Sequence, residues 1–83
     1  MTDIRRIFIA NRSEIAVRII RTARSLGIET VLGVSEADRD SLGAQLANRA
    51  ICLGPAPATE SYLKVGTVVE AAKGTGCDAI HPG

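Results

Sequence analysis

Residues 4–10, IRRIFIA, are a short β-branched apolar run. Residues 13–26, SEIAVRIIRTARSL, switch at once to a helical period. That switch recurs along the chain and limits the possible folds more than any other feature. A run apolar on both sides of its axis must be covered on both faces, and a helix must follow close enough to cover it. Turning 100° per residue from Glu14 gathers Ile15, Ala16, Ile19, Ile20, Ala23 and Leu26 on one face, with Glu14, Arg18, Arg21 and Ser25 opposite. Asn11 or Ser13 is expected to cap this helix and Gly27 to end it. ETVLGV at 29–34 is a second strand, followed by the polar loop SEADRD. A short helix is expected from Ser41 to about Ala47, capped by Asp40 or Ser41, and RAICL at 49–53 is a third strand. GPAPA is too rich in Pro and Gly for regular structure. Val65, Val68, Val69 and Ala72 mark a third helix from about Tyr62 to Lys73, with Gly74 as its stop, and DAIH closes as a fourth strand.

The order β-α-β-α-β-α-β predicts an α/β, Rossmann-like parallel sheet of four strands. Right-handed crossovers favour strand order 3-2-1-4, which sets the first and fourth strands side by side. Ligands of open α/β sheets lie beyond the strand C-termini where the order reverses. Two loops flank that point: Asn11-Arg12-Ser13 after the first strand and His81-Pro82-Gly83 after the fourth.

Residues 1–83 are read as one domain, and the composition narrows its role. A net charge of +1, with 46% apolar and 23% charged residues, fits a soluble globular chain. It argues against nucleic acid as a partner, as do only two aromatic side chains, Phe8 and Tyr62. No apolar run reaches the roughly 20 residues that span a bilayer, and no signal-peptide pattern opens the chain, so no membrane role is expected. Cys52 and Cys77 lack metal-ligand spacing, and Cys52, inside AICL, is expected to be buried. The reading is cytoplasmic and reduced, with no metal site and no catalytic residue in this chain.

Residues 74–79, GTGCDA, fit the dinucleotide fingerprint G-x-G-x-x-G/A but follow a helix and enter a strand. The fingerprint must follow a strand and open a helix, so this one is read as a tight turn. The proper position, ANRSE, holds no glycine, which disfavours NAD or FAD. Arg12 lies beside a helix N-terminus and can meet an anion there. The plainer alternative leaves Asn11 and Ser13 as caps and pairs Arg12 with an acid from a neighbouring loop. Asp38 and Asp40 are candidates for a ribose hydroxyl, or equally for capping the next helix. His81 can serve the crevice or simply shape the turn.

Four blocks, IFIANRSEIAVRIIRTARSLGIETV, SEADRDS, GPAPATESYL and DAIHPG, resemble in order and spacing the N-terminal, pre-ATP-grasp domain of biotin carboxylases of the acyl-CoA carboxylase type. The family also includes the matching domains of urea and pyruvate carboxylases. The resemblance implies a parent enzyme that consumes ATP with Mg²⁺ or Mn²⁺, activates bicarbonate and carboxylates biotin on a carrier protein. It implies as partners the remainder of the biotin carboxylase, the biotin carboxyl carrier domain, a carboxyltransferase and, since family members are often homodimers, a second copy. The family's catalytic and ATP-contacting residues lie C-terminal to this segment, so residues 1–83 are expected to be inactive alone. His81, Pro82 and Gly83 match the start of a loop that approaches the biotin pocket, with Asn11 and Arg12 beside it on the rim. Arg21 resembles a dimer-contact position, a solvated basic face being the alternative. Ser13 departs from the family's usual glycine, and Asn48-Arg49 from a usually acidic pair. A free-standing module binding a nucleotide or anion is the competing reading.

Overall fold

A computed structural model describes residues 4–55 and 61–81. The elements are β1 (Arg6–Ile9), α1 (Ser13–Ser25), β2 (Glu29–Ser35), α2 (Leu42–Leu46), β3 (Arg49–Gly54), α3 (Val65–Gly74) and β4 (Ala79–His81), with a 3-10 turn at Glu36–Asp38. The four strands form one sheet in the order β3-β2-β1-β4, every pair parallel, as the sequence predicts.

Alternation along the strands divides the core between two faces. Phe8, Ala10, Val31 and Leu53 pack with Tyr62, Val68 and Ala72 on the α3 side. Ile9, Leu32 and Val34 pack with Ala16 and Ile20 on the side of α1 and α2. Phe8 lies across Gly33, where an added Cβ would stand 2.8 Å from the ring and 2.7 Å from Leu53. At the N-terminal end of the sheet, the Asp78 carboxylate accepts from the Arg5 and Arg6 N–H groups at 2.9 and 3.0 Å, fastening β4 to β1.

Both longer helices end the same way. After α1, the Gly27 N–H reaches the Arg24 carbonyl and the Ile28 N–H reaches the Ala23 carbonyl, with Gly27 at φ 73°. After α3, Gly76 at φ 70° and Cys77 repeat the pattern onto Lys73 and Ala72. These paired bonds satisfy helix-end carbonyls through a left-handed residue, where glycine carries no Cβ penalty.

Several expectations need correcting. The glycine that stops α3 is Gly76, because Gly74 is still helical. That helix begins at Val65 rather than Tyr62, since residues 61–63 form a turn with Ser61 and Tyr62 buried. Ile15 and Leu26 are exposed at 56% and 68%, so the buried stripe of α1 is narrower than its apolar one. Cys52 is exposed: it pairs with Val34 on the α2 side, and a helix of five residues does not reach across the edge strand. Arg12 occupies the N-cap position of α1 and no side chain caps it. Ser13 is the first helical residue, so this position needs no left-handed backbone and serine is unstrained there. Ser41 does cap α2, accepting from the Ala44 N–H at 3.2 Å. GPAPA falls partly outside the described residues.

Candidate functional site

Because β4 pairs with β1, the loop after β1 meets His81, the first residue of the second loop, at the carboxyl edge of the sheet. Ile9 is opposite His81, and the Ala10 N–H donates to the His81 carbonyl at 3.0 Å. One residue on, the Asn11 amide oxygen lies 3.1 Å from His81 Nδ1. An amide oxygen only accepts, so the ring nitrogen is the donor. This bond also explains why Asn11 does not cap α1: its oxygen is already engaged. Pro82 and Gly83 lie outside the described residues.

Arg12 points along the rim toward β2. Its Nε–H donates to Asp38 Oδ2 at 3.0 Å, and its guanidinium carbon lies 5.1 Å from the centre of the Tyr62 ring. Asp38 Oδ2 also accepts from the Ser35 hydroxyl at 3.0 Å and the Tyr62 hydroxyl at 2.6 Å. The Tyr62 oxygen in turn accepts from the Ser35 N–H at 2.9 Å. The Tyr62 hydroxyl is the main reason the Asp38 carboxyl is held below its ordinary value, with Ser35 and Arg12 assisting and burial opposing. Burial, and then the carboxylate beside it, push the Tyr62 phenol up. Of the two readings of Arg12, the structure supports the pairing with a neighbouring acid, and that acid is Asp38.

The rim therefore consists of two linked pairs, Asn11–His81 and Arg12–Asp38, with Tyr62 and Ser35 behind the second. Sequence reasoning missed Tyr62 and Ser35. The available signal was the polar tip of the chain's one tyrosine, which needs a partner wherever its ring is buried. Asp40 takes no part: its carbonyl accepts from the Gln45 side chain. The GTGCDA turn lies at the N-terminal end of β4, at the opposite edge of the sheet from the rim. Among the described residues no group of three His, Cys, Asp or Glu side chains is placed to hold a metal.

Two grooves flank α1. One, of about 430 Å³, runs between α1 and the β4 edge, lined by Ile7, Ile15, Arg18, Ile19, Leu26 and His81 among others. The other, of about 360 Å³, lies between α1 and α2 and contains Glu14, Val17 and Arg21. Arg21 is exposed and belongs to this second face, away from the rim.

Comparison with known proteins agrees with this fold. The family model for the biotin carboxylase N-terminal domain matches residues 3–83. Biotin carboxylase 1 of Bacillus subtilis is 59% identical over 80 residues, which are 96% of this chain and 18% of that protein. The biotin carboxylase domain dimer of the Hydrogenobacter thermophilus 2-oxoglutarate carboxylase, solved with MgADP, ADP and bicarbonate, superposes with a TM-score of 0.91 at 34% identity, covering 100% of this chain and 18% of that one. The multifunctional pyruvate carboxylase of Rhizobium etli superposes at 0.88 with 42% identity, covering 99% and 9%. This chain thus spans about a fifth or less of the length of these relatives.

Proposed function

The chain belongs to the biotin carboxylase N-terminal domain family, and from that premise we propose that residues 1–83 are the N-terminal segment of an acyl-CoA-type biotin carboxylase and precede its ATP-grasp portion. The parent enzyme then uses ATP, Mg²⁺ or Mn²⁺ and bicarbonate to carboxylate biotin on a carrier protein. Its partners are the carrier domain, a carboxyltransferase and a second copy that meets α1 near Arg21. Its place is the cytoplasm; among the described residues no helix is long and apolar enough to cross a membrane.

The segment's own contribution is one wall of the carboxylation site. The single observation carrying this reading is the 3.1 Å bond between Asn11 and His81. It fixes the loop after β1 against the residue that precedes Pro82 and Gly83, the residues that the resemblance sets at the start of a loop approaching biotin. The described residues do not suit ATP or its metal. Arg12, a cation on this rim, is bound by Asp38, and among the described residues no group of three His, Cys, Asp or Glu is placed to hold a metal. No step through nucleotide or metal is assigned to this segment. The same ion pair weighs against a free-standing anion-binding module.

The test is ATP hydrolysis by the polypeptide that joins this segment to its ATP-grasp portion. Turnover dependent on bicarbonate and stimulated by free biotin is expected, with none from residues 1–83 alone. Turnover indifferent to biotin would overturn the proposal, and micromolar ATP binding by the short chain would favour the module instead.

A further inference from the structure

We propose that Asn11 is a positioning residue that fixes the tautomer of His81, so that the rim presents a ring-nitrogen acceptor and seats a neutral hydrogen-bond donor at that atom. The Asn11 oxygen carries only lone pairs, so at 3.1 Å the proton must sit on Nδ1. A neutral imidazole has one N–H, which leaves Nε2 with its lone pair. Backbone pairing holds both partners in place, through Ile9 opposite His81 and the Ala10 N–H on the His81 carbonyl. Among the described residues nothing donates to Nε2. Arg12, which would otherwise favour an anion here, is neutralised by Asp38. Arg18, which lines the same groove as His81, leaves that groove open to anions as well. The ring-nitrogen lone pair itself repels another lone pair and accepts from an N–H group. A cyclic urea N–H, as in biotin, is such a group; that choice of ligand rests on the function proposed above, whereas the tautomer does not.

His81 is the chain's single histidine, so its ring nitrogens can be read without assignment. The chain is labelled with ¹⁵N-histidine and long-range ¹H–¹⁵N spectra are recorded at a pH of about 8.5, where an ordinary imidazole is neutral. The wild type and Asn11→Asp, which keeps an acceptor, are expected to show Nδ1–H, and Asn11→Leu to shift to Nε2–H. Nε2–H in the folded wild type, with the Asn11 amide turned to donate, would overturn the assignment. In the polypeptide carrying the ATP-grasp portion, Asn11→Leu is expected to raise the KM for free biotin roughly five- to tenfold, the worth of one hydrogen bond. The KM values for ATP and bicarbonate should hold within about twofold, and Asn11→Asp should restore the biotin value. An equal loss for all three substrates, or an unchanged biotin KM, would sink the donor-seating role. A parent with no biotin-dependent turnover would instead fail the proposed function and leave the tautomer result standing.

Discussion

Asp38 accepts three donors on one oxygen, and removing a donor tests what the network contributes. Tyr62→Phe deletes the shortest bond and also strips the Ser35 N–H of its acceptor in a buried place. An unsatisfied buried group costs about 1–3 kcal/mol, so urea denaturation of this variant is expected to show a loss in that range. Arg12→Ala should cost less, about 1 kcal/mol, because its ion pair is solvent-exposed and its ring contact adds only a fraction. The pH dependence follows from the same bonds. Asp38 in the folded chain lies below its ordinary value of 3.8, so the stability it adds is complete above that value and drains away as pH falls through the lowered one. Tyr62 lies above its ordinary value of 10.0, so its share is complete below 10.0 and is lost as pH rises through the raised one. Since the Tyr62 hydroxyl is the largest cause of the Asp38 shift, Tyr62→Phe is expected to flatten the acid limb of a stability profile recorded from neutral pH downward. An unchanged limb would mean that other carboxylates, such as Asp78 on its two N–H groups, dominate it. Asn11, Arg12 and His81 were legible as rim residues because strand order alone carries their loops to one edge. The partner of Arg12 was not, since Asp38 and Asp40 look alike in sequence and only the 3-10 turn decides between them.

At the level of elements, the period of the apolar residues was enough to read the four described strands and three helices, and crossover handedness was enough to order the strands. Each misreading marks a place where tertiary contact overrides local pattern. The third helix starts late because the Tyr62 hydroxyl holds its segment against the end of β2. The apolar stripe of α1 overreaches because nothing on the described sheet covers Ile15 and Leu26. Cys52 surfaces because burial of an edge strand depends on the length of the helix above it, which an apolar run does not reveal. The glycines offer a test with opposite signs. Gly27 is left-handed with no atom within 4 Å of an added Cβ, so Gly27→Ala is expected to cost about 1 kcal/mol from backbone conformation alone. Gly66 lies within α3, also with open space around an added Cβ. Gly66→Ala should therefore stabilise by roughly 0.5–1 kcal/mol, by raising helix propensity and restricting the unfolded chain. Equal signs for the two variants in chemical denaturation would contradict the backbone assignment at one of them.

For the whole molecule, the decisive fact is how much apolar surface an 83-residue chain leaves open. Ile15, Leu26, Leu63 and Val65 are all more than half exposed, and among the described residues β4 has no partner on its outer edge. An open strand edge templates self-association, and a domain of this size buries only about 60–65% of its surface. The isolated chain is therefore expected to unfold below about 60 °C and to associate as concentration rises. Two modes of association should be separable, because the two faces of α1 differ in chemistry. The face carrying Arg21 beside Glu14 would pair copies by charge, and salt weakens such contacts. The groove beside β4, bordered by Leu26, would gather copies by apolar burial, which salt does not screen. Size-exclusion chromatography over a range of concentrations and ionic strengths is expected to show a salt-sensitive dimer that Arg21→Glu weakens about tenfold. A salt-insensitive larger species should be reduced by Leu26→Lys and untouched by Arg21→Glu. A dimer that survives Arg21→Glu but dissolves with Leu26→Lys would move the self-contact from the basic face of α1 to the groove at the sheet edge.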